Sequence, residues 1–427
     1  MADGISKFRI KGDGIIWMVF FFLCIISVLE VFSASSGLTY KTGSYWKPVA
    51  YHSFLLLIGI AFMIVTMNIK CRYFKIVTPF ALLISLLMLI AVLIVGQTTN
   101  GAQRWIDFFG IQFQPSELAK GAVILAEAQI LSAMQTANGA DRHAFRYIMY
   151  ISCPILLLIA MENLSTAALL FLTIIIMMFI GRVPKTQLGK LLGVLMLGVI
   201  FIFSLVMLVG KNEDPAKAQN TELSMTEQVE PKKESFLTGK VFHRFDTWKA
   251  RIVKFMDNRE IAPEDIDLDK DAQVAHANIA IASSNLIGKG PGNSVERDFL
   301  SQAFSDFIYA IIIEEMGIWG AVIVCLLYII LLFRTASIAN HCVNAFPALL
   351  IMGFALLLVT QAMFNMAVAV GLAPVTGQPL PLISKGGTST IVNCVYIGVI
   401  LSVSCSAAKR EDTTKVEKSG KVSLKTA

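Results

Sequence analysis

Long apolar runs with few or no ionisable side chains constrain this chain more than any other feature. Such runs cover residues 14–33, 49–67, 76–96 and 316–333. A bilayer core of ~30 Å is crossed by about 20 apolar residues in a helix. Hydrophobic residues make up 56% of the 427 residues and charged residues only 15%, against about 25% charged in soluble domains. A soluble enzyme, a disordered protein and a fibrous protein are therefore excluded.

The apolar runs predict an all-α polytopic membrane protein with about ten transmembrane helices. The fifth and sixth predicted spans are short, which favours a tilted hairpin around Glu162 and Asn163. The predicted spans are 14–34, 47–67, 76–96, 114–134, 147–161, 166–181, 190–210, 306–333, 347–370 and 385–408.

Lysine and arginine residues predict the orientation of the spans. The short segments on the side of the membrane that holds both termini contain 18 lysine and arginine residues. The short loops on the opposite side contain 4. Because cytoplasmic loops carry the excess of positive charge, we expect both termini in the cytoplasm. The predicted divisions are a cytoplasmic N-terminus (1–13), spans one to seven (14–210), a large extracytoplasmic loop (211–305), spans eight to ten (306–408) and a basic cytoplasmic tail (409–427).

The net charge of +6 does not indicate nucleic acid, because the cations lie at the ends of apolar runs and in loops. In the large loop, apolar and basic residues between 242 and 255 predict an amphipathic helix at the membrane surface. Residues 272–286 predict a short helix that ends at the glycine-rich turn 288–292. The tail lacks apolar periodicity, so we expect no ordered structure in it.

Ionisable groups within spans cost about 2.5–3.5 kcal/mol each to insert and are functional candidates for that reason. The fourth span begins with Gln114, Ser116 and Glu117 and continues to Lys120 and Glu127. Lys120 and Glu127 share a helix face two turns apart. An internal ion pair that holds helices together is the alternative to a functional role for both.

The eighth span begins near Asp306, which we expect at the water–membrane boundary. A first-turn carboxylate that stabilises the helix N-terminus is the plainer interpretation. Glu314 and Glu315 are then expected about 12–14 Å deeper by helix rise. Adjacent carboxylates face different ways, so at least one should meet a basic partner or water.

Two loops at the same side carry groups that suit an anion. Arg104 and Trp105 could grip an anionic headgroup, or serve as a snorkelling cation and an interfacial aromatic. Glycine-rich backbone at 386–389 and at 288–294 can offer N–H groups to an anion. These features predict an outward-facing polar cavity for an anionic amphiphile, and they leave transport and chemistry both open.

Four ordered motifs carry a resemblance to a known family. They are Gly-Ala-Gln-Arg-Trp-Ile at 101–106, Gln-Pro-Ser-Glu-Leu-Ala-Lys at 114–120, Ser-Asp-Phe-Ile-Tyr at 305–309 with Glu-Glu-Met-Gly at 314–317, and Leu-Pro-Leu-Ile-Ser-Lys-Gly-Gly-Thr-Ser at 380–389. Over about residues 12–408 the chain resembles the SEDS (shape, elongation, division and sporulation) proteins. These are bacterial membrane enzymes that polymerise peptidoglycan from lipid II. Residues 12–14 and 33–36 lean toward the division branch over the elongation branch.

The resemblance implies a set of roles for the candidate residues. Asp306 would be the general base on the acceptor sugar of an inverting glycosyl transfer, and Lys120 would pair with it. Arg104, Arg244 and Arg251 would bind the pyrophosphate. Glu127, Glu314 and Glu315 would be structural or coupling groups. The cavity would be lined by Trp105, Gln114, Ser116, Glu117, Ser384, Gly386, Gly387, Thr388 and Ser389.

The resemblance also implies partners and a location. Lipid II, the nascent glycan strand, a class B penicillin-binding protein and other division proteins are the expected partners, in the bacterial inner membrane with the active site facing the periplasm. No metal-ligand cluster is visible, and a divalent cation (Mg²⁺ or Mn²⁺) beside the pyrophosphate stays open. A flippase for the lipid-linked precursor is the main alternative function, and a scaffold for division proteins is a third.

Overall fold

The fold is given by a computed structural model that describes residues 11–40, 47–95, 97–99, 102–108, 111–137, 139–209, 272–300 and 305–423. Arg244, Arg251 and the predicted amphipathic helix at 242–255 lie outside the described residues. The described α-helices are α1 (Gly14–Tyr40), α2 (Lys47–Asn68), α3 (Cys71–Val95), α4 (Pro115–Ala133), α5 (Arg142–Glu162), α6 (Leu164–Ile180), α7 (Lys185–Val209), α8 (Ala272–Ala282), α9 (Ile308–Asn340), α10 (Ala345–Ala369) and α11 (Thr388–Ser423).

Short strands and a single 3₁₀ turn complete the described structure. Strands β1 (Gln97–Thr99), β2 (Ala102–Phe108) and β3 (Ile111–Phe113) form an antiparallel meander between α3 and α4. Strands β4 (Gln135–Thr136) and β5 (Gly139–Ala140) pair between α4 and α5. We call the end of the bundle that carries β1–β3 and α8 the site end, and the opposite end the tail end.

Each predicted span coincides with a helix, and the polytopic α-helical class is confirmed. Among the described residues, α1, α2, α3, α5, α9, α10 and α11 are long and apolar enough to cross a membrane, and α6 is a shorter apolar helix of 17 residues. The prediction of a short fifth span was wrong, since α5 has 21 residues. Its start was missed because the basic residues near 142–146 belong to the helix.

Asn163 forms the predicted hairpin between α5 and α6. It ends α5, and its side-chain oxygen accepts hydrogen bonds from the backbone N–H groups of Ser165 (3.0 Å) and Thr166 (3.4 Å). Such a cap satisfies donors at a helix start that have no partner within the helix. A single residue therefore closes one helix and opens the next.

The core of the bundle is built around α10. In the apolar 18-residue stretch of this helix, 72% is buried, and the helix packs against α4, α6, α9 and α11. In the corresponding stretch of α3 only 22% is buried, and α3 exposes large side chains such as Phe80 and Leu87. A helix that is apolar all round belongs in a protein interior or in lipid, and these two helices represent the two cases.

A sharp kink divides α9 at Gly317, whose backbone has φ 70° and ψ −168°. The hydroxyl of Tyr309 donates to the carbonyl oxygen of Ala321 at 3.1 Å, although 12 residues of straight helix would separate them by about 18 Å. Residues 308–316 therefore fold back beside the start of 318–340. The prediction that Glu314 and Glu315 lie deeper than Asp306 along a straight helix was wrong for this reason.

The glycine-rich loop 288–294 binds these two glutamates. Glu314 accepts from the Lys289 ammonium (2.6 Å), and Glu315 accepts from the Gly292 N–H (2.9 Å). Arg297 lies 3.9 Å from Glu315. The expected basic partner is therefore present. The loop does offer N–H groups to an anion, but the anion is the protein's own pair of carboxylates.

An ion pair stabilises the tail end of the bundle. Helix α11 also extends further there than predicted. Arg334 donates from Nε and Nη2 to Asp13 (2.9 and 2.7 Å), whose other oxygen accepts from the N–H of Ile15 (3.0 Å) at the start of α1. Burial opposes ionisation of Asp13, but these hydrogen bonds outweigh it and lower its pKa. The expectation of an unstructured tail was wrong, because α11 continues to Ser423.

Candidate active site

A small polar cavity of about 80 Å³ opens at the site end of the bundle. Strand β2, the starts of α4 and α11, the residue before Asp306 and the loop 377–386 all reach it. Its lining residues are Arg104, Trp105, Gln114, Ser305, Gly377, Pro379, Lys385, Gly386 and Ser389. Two cations and several hydroxyl and amide groups therefore face one space, as an anionic polar ligand requires.

Gly377 lies close to both Arg104 and Asp306. Its φ is +67°, and a Cβ atom placed there would lie 3.5 Å from Arg104 Nη1 and 3.5 Å from Asp306 Oδ2. These two atoms are therefore at most twice that distance apart. A Cβ atom at Gly377 would be in ordinary van der Waals contact with both groups, so the glycine leaves that space open.

Asp306 is not the capping residue of its helix. The N-cap of α9 is Phe307, and Asp306 Oδ1 accepts from the Ser305 hydroxyl at 3.1 Å. The plainer interpretation of Asp306 as a group that merely starts the helix thus loses its support. Asp306 is partly exposed, and its neighbour Ser305 lines the cavity, whereas Asp306 is not among the lining residues.

The backbone around Asp306 is held from two sides. Asn365 on α10 donates to the Asp306 carbonyl oxygen at 2.9 Å. The Ser384 hydroxyl donates to the Ser305 carbonyl oxygen at 2.6 Å and accepts from the Leu380 N–H at 2.8 Å. Ser384 therefore links the backbone at Ser305 to the loop at Leu380. It is not among the residues that line the cavity.

Lys120 pairs with partners other than the predicted one. Its ammonium lies 2.8 Å from Glu117 one turn earlier on α4, and 2.8 Å from the Gln361 side-chain oxygen on α10. The predicted pairing with Asp306 was wrong, because these two groups already satisfy the buried cation locally. Gln361 in turn donates to the Pro379 carbonyl oxygen at 3.0 Å, so Lys120 reaches the cavity wall through one side chain.

The first turn of α11 forms part of the cavity floor. Ser389 donates from its N–H (3.0 Å) and its hydroxyl (2.8 Å) to the Gly386 carbonyl oxygen. Thr388 donates to the Gln112 carbonyl oxygen of β3 at 2.9 Å, which fastens the sheet to α11. Gly386 and Ser389 line the cavity, whereas Gly387 and Thr388 support it.

Electrostatics in the cavity favour a bound anion. Arg104 donates from Nε to the Glu162 carbonyl oxygen at 3.2 Å, which holds its guanidinium beside the cavity. Burial lowers the pKa of Lys385, which lines the same space. A partly buried cation loses hydration, and an anionic ligand would replace it.

The remaining predicted residues are buried and are not among those that line the cavity. Ser116 is buried and accepts from Gln114 at 3.1 Å. Glu127 is 1% exposed, and neither of its carboxylate oxygens has a hydrogen-bond partner among the described residues. The roles predicted for these residues stay predictions. Within the described part of the chain, no group of three or more His, Cys, Asp or Glu side chains is placed to bind a metal ion.

Three residues that position the site were not predicted from the sequence. Gln361 and Asn365 are buried amides one turn apart on α10, and Lys385 lines the cavity. Two amides at positions i and i+4 in an apolar span are a readable signal, because polar groups inside a span need partners. Lys385 carried the weaker signal of a charge beside a glycine-rich turn.

Comparison with known proteins decides the family. Residues 13–409 match the family described as cell cycle protein, which covers FtsW, RodA and SpoVE. The chain belongs to this family. The resemblance drawn from the four motifs is therefore confirmed.

Similar curated proteins cover nearly the whole chain. The peptidoglycan glycosyltransferase MrdB of Escherichia coli K12 is 26% identical over 397 residues, 92% of this chain and 94% of that protein. A protein named probable peptidoglycan glycosyltransferase FtsW from Geobacter sp. strain M18 is 30% identical over 404 residues, 93% and 98% respectively.

Solved structures share the fold at lower identity. A chain described under "Structural coordination of polymerization and crosslinking by a peptidoglycan synthase complex" gives a TM-score of 0.65 at 22% identity, over 93% of this chain and 98% of that one. Thermus thermophilus RodA gives 0.59 at 22% identity, over 92% and 96%.

Proposed function

We propose that this protein is a peptidoglycan glycosyltransferase that polymerises lipid II into β-1,4 glycan strands. The observation that carries the proposal is the proximity of Arg104 and Asp306, each 3.5 Å from the position of a Cβ atom on Gly377. The family and the names of its relatives support the same activity. A carboxylate close to a cation that lines the cavity suits a transfer that removes a proton and releases a pyrophosphate.

In the proposed reaction, Asp306 takes the proton from the 4-hydroxyl of the acceptor sugar. That oxygen attacks the anomeric carbon of the lipid-linked donor from the side opposite to the pyrophosphate. The carbon–oxygen bond to the pyrophosphate breaks, and the lipid pyrophosphate leaves with the bonding electrons. Arg104 and Lys385 stabilise the charge that develops on it. The configuration inverts, and Asp306 then releases its proton to water.

In this proposal Lys120 acts indirectly, through the side chain of Gln361. Through Gln361 it fixes the Pro379 carbonyl, which belongs to the cavity wall. We therefore assign Lys120 a positioning role in place of the pairing with Asp306 that the family resemblance implied. A divalent cation beside the pyrophosphate remains compatible with the site.

The proposed setting is the inner membrane of a bacterium, with both termini in the cytoplasm and the cavity open to the periplasm. The lysine and arginine distribution supports this orientation. A class B penicillin-binding protein is the proposed partner, which would cross-link the strands made here. The similar solved chain belongs to a peptidoglycan synthase complex that coordinates polymerization with crosslinking, which supports a partner of that kind. A role in division in preference to elongation rests on the residues near 12–14 and 33–36 alone.

The test compares polymerisation and transport by the same purified protein. The full-length protein, alone and with a class B penicillin-binding protein, is supplied with labelled lipid II, and glycan strands are separated on gels. Asp306→Asn removes the base. Asp141→Asn is the matched control, because Asp141 caps α5 at the tail end and Asn caps equally well.

We expect long strands from the wild type and from Asp141→Asn, and none from Asp306→Asn. Normal strands from Asp306→Asn would contradict the assigned chemistry. In parallel, vesicles with lipid II in the inner leaflet measure translocation. A wild type that moves lipid II between leaflets and makes no strands would favour the flippase.

A further inference from the structure

Asn365 joins the peptide of Asp306 to the wall of the cavity. Its side-chain nitrogen donates to the Asp306 carbonyl oxygen at 2.9 Å and to the Gln378 carbonyl oxygen at 2.7 Å. Asn365 is 1% exposed, so water does not compete for these bonds. Both amide hydrogens are used, which fixes the orientation of the side chain as well as its position.

These two bonds connect the Asp306 backbone to the loop 377–379, which lies beside the proposed reaction site. Gln378 follows Gly377, the residue that lies close to both Arg104 and Asp306. A shift of the 377–379 backbone relative to Asp306 would change the distance between the carboxylate and this wall of the cavity. Asn365 opposes such a shift, because it is bonded to both segments at once.

The neighbouring turn of α10 anchors the same loop. Gln361, four residues earlier, donates to the Pro379 carbonyl oxygen at 3.0 Å. Side chains at i and i+4 lie on one face of a helix, so α10 presents a pair of amides to the loop. Asn365 is the member of this pair that also holds Asp306.

We propose that Asn365 is a positioning residue for the base, and that it sets the distance and angle between Asp306 and the ligand beside Arg104. This inference rests on the proposed function, because it assigns Asn365 a part in the same reaction. A misplacement of about 1 Å between reacting groups can lower a rate by about 100-fold. Ground-state binding of the donor depends on Arg104 and Lys385, and it should change much less.

The experiment measures kcat and KM for lipid II with the full-length protein in complex with its transpeptidase. Asn365→Ala removes both donors, and Asn365→Ser keeps one. Thr360→Val is the control on the same helix, since the Thr360 hydroxyl bonds to the Leu356 carbonyl oxygen (2.7 Å) and lies away from the cavity lining. We expect Asn365→Ala to lower kcat by about 30- to 100-fold with KM within about twofold. Asn365→Ser should fall between it and the wild type, and Thr360→Val should match the wild type.

Three outcomes would overturn the inference. Wild-type kcat for both Asn365 variants, a proportional change of kcat and KM that follows the loss of folded protein, or failure of both variants to fold would each make Asn365 an ordinary structural residue. Asp306→Asn in the same assay separates this inference from the proposed function. A fully active Asn365→Ala beside an inactive Asp306→Asn contradicts the positioning role alone, whereas an active Asp306→Asn contradicts the proposed base.

Discussion

The kink at Gly317 provides the sharpest structural prediction. Gly317→Ala forces a side chain into a backbone conformation that only glycine adopts readily, at a cost of about 1–3 kcal/mol. The new Cβ would also lie 2.4 Å from the Leu286 carbonyl oxygen and 2.6 Å from the Gly288 nitrogen. Backbone atoms cannot rotate away, so the loop would have to retreat by about 1 Å to reach ordinary contact, near 3.4 Å.

That retreat breaks bonds that tie the loop to α9. The N–H groups of Lys289 and Gly290 donate to the carbonyl oxygens of Glu314 (2.9 Å) and Glu315 (2.8 Å). At about 1 kcal/mol for each of the two lost bonds, added to the backbone strain, the variant should lose about 3–5 kcal/mol of folding free energy in all. Asp306 lies at the other end of the same folded-back segment, so strand synthesis should fall as well.

Two further glycine variants separate the causes. Gly371→Ala introduces only the backbone strain, since Gly371 has φ +76° and open space around it. Gly193→Ala introduces neither, because Gly193 lies within α7 with nothing within 4 Å. Thermal unfolding in detergent should give the lowest midpoint for Gly317→Ala, an intermediate one for Gly371→Ala, and no loss for Gly193→Ala. A Gly317→Ala protein that unfolds at the wild-type temperature would refute the kinked geometry.

Three other variants test separate parts of the site and fold. Lys120→Met should lower turnover of lipid II at least 10-fold without loss of expression, because it removes a buried cation that fixes Gln361. Turnover equal to that of the wild type would show that Lys120 is only structural. Gly386→Ala places a Cβ 2.0 Å from the Ser389 hydroxyl, so donor affinity should fall several-fold with little change in unfolding temperature, and unchanged affinity would argue against this wall of the cavity. Since the folded pKa of Asp13 is lowered, its pair with Arg334 stabilises the protein above an ordinary carboxyl pKa of about 4 and is lost as pH falls. Asp13→Asn should therefore lower the unfolding midpoint at pH 7, and this loss should shrink as pH falls below about 4. A loss that does not change with pH would contradict the ion pair.

Hydropathy could predict the spans because the length of an apolar run is a direct requirement of the bilayer. It could not predict the kink in α9, since glycine also occurs within straight membrane helices and its φ is not encoded by neighbouring residues. The depth assigned to Glu314 was wrong for that reason alone. A bond such as that from Tyr309 to Ala321 becomes visible only in three dimensions.

The candidate site was predictable in its composition and not in its connections. Arg104, Gln114 and Gly386 were expected in one cavity, and the structure brings them together. Of the two partners of Lys120, Gln361 could not be predicted, because it lies on a helix far away in the sequence. Local pairs within one turn form at low entropic cost, and this bias would have favoured Glu117.

The central claim is that Asp306 acts on the chemical step and not on binding. Its most direct test is the single-turnover rate of strand elongation, measured with the dissociation constant of lipid II for the same samples of wild type and Asp306→Asn. General-base catalysis contributes about 10²- to 10⁴-fold, so the rate should fall by that factor while the dissociation constant stays within about threefold. An unchanged rate, or a rate lost only because lipid II no longer binds, would contradict the account.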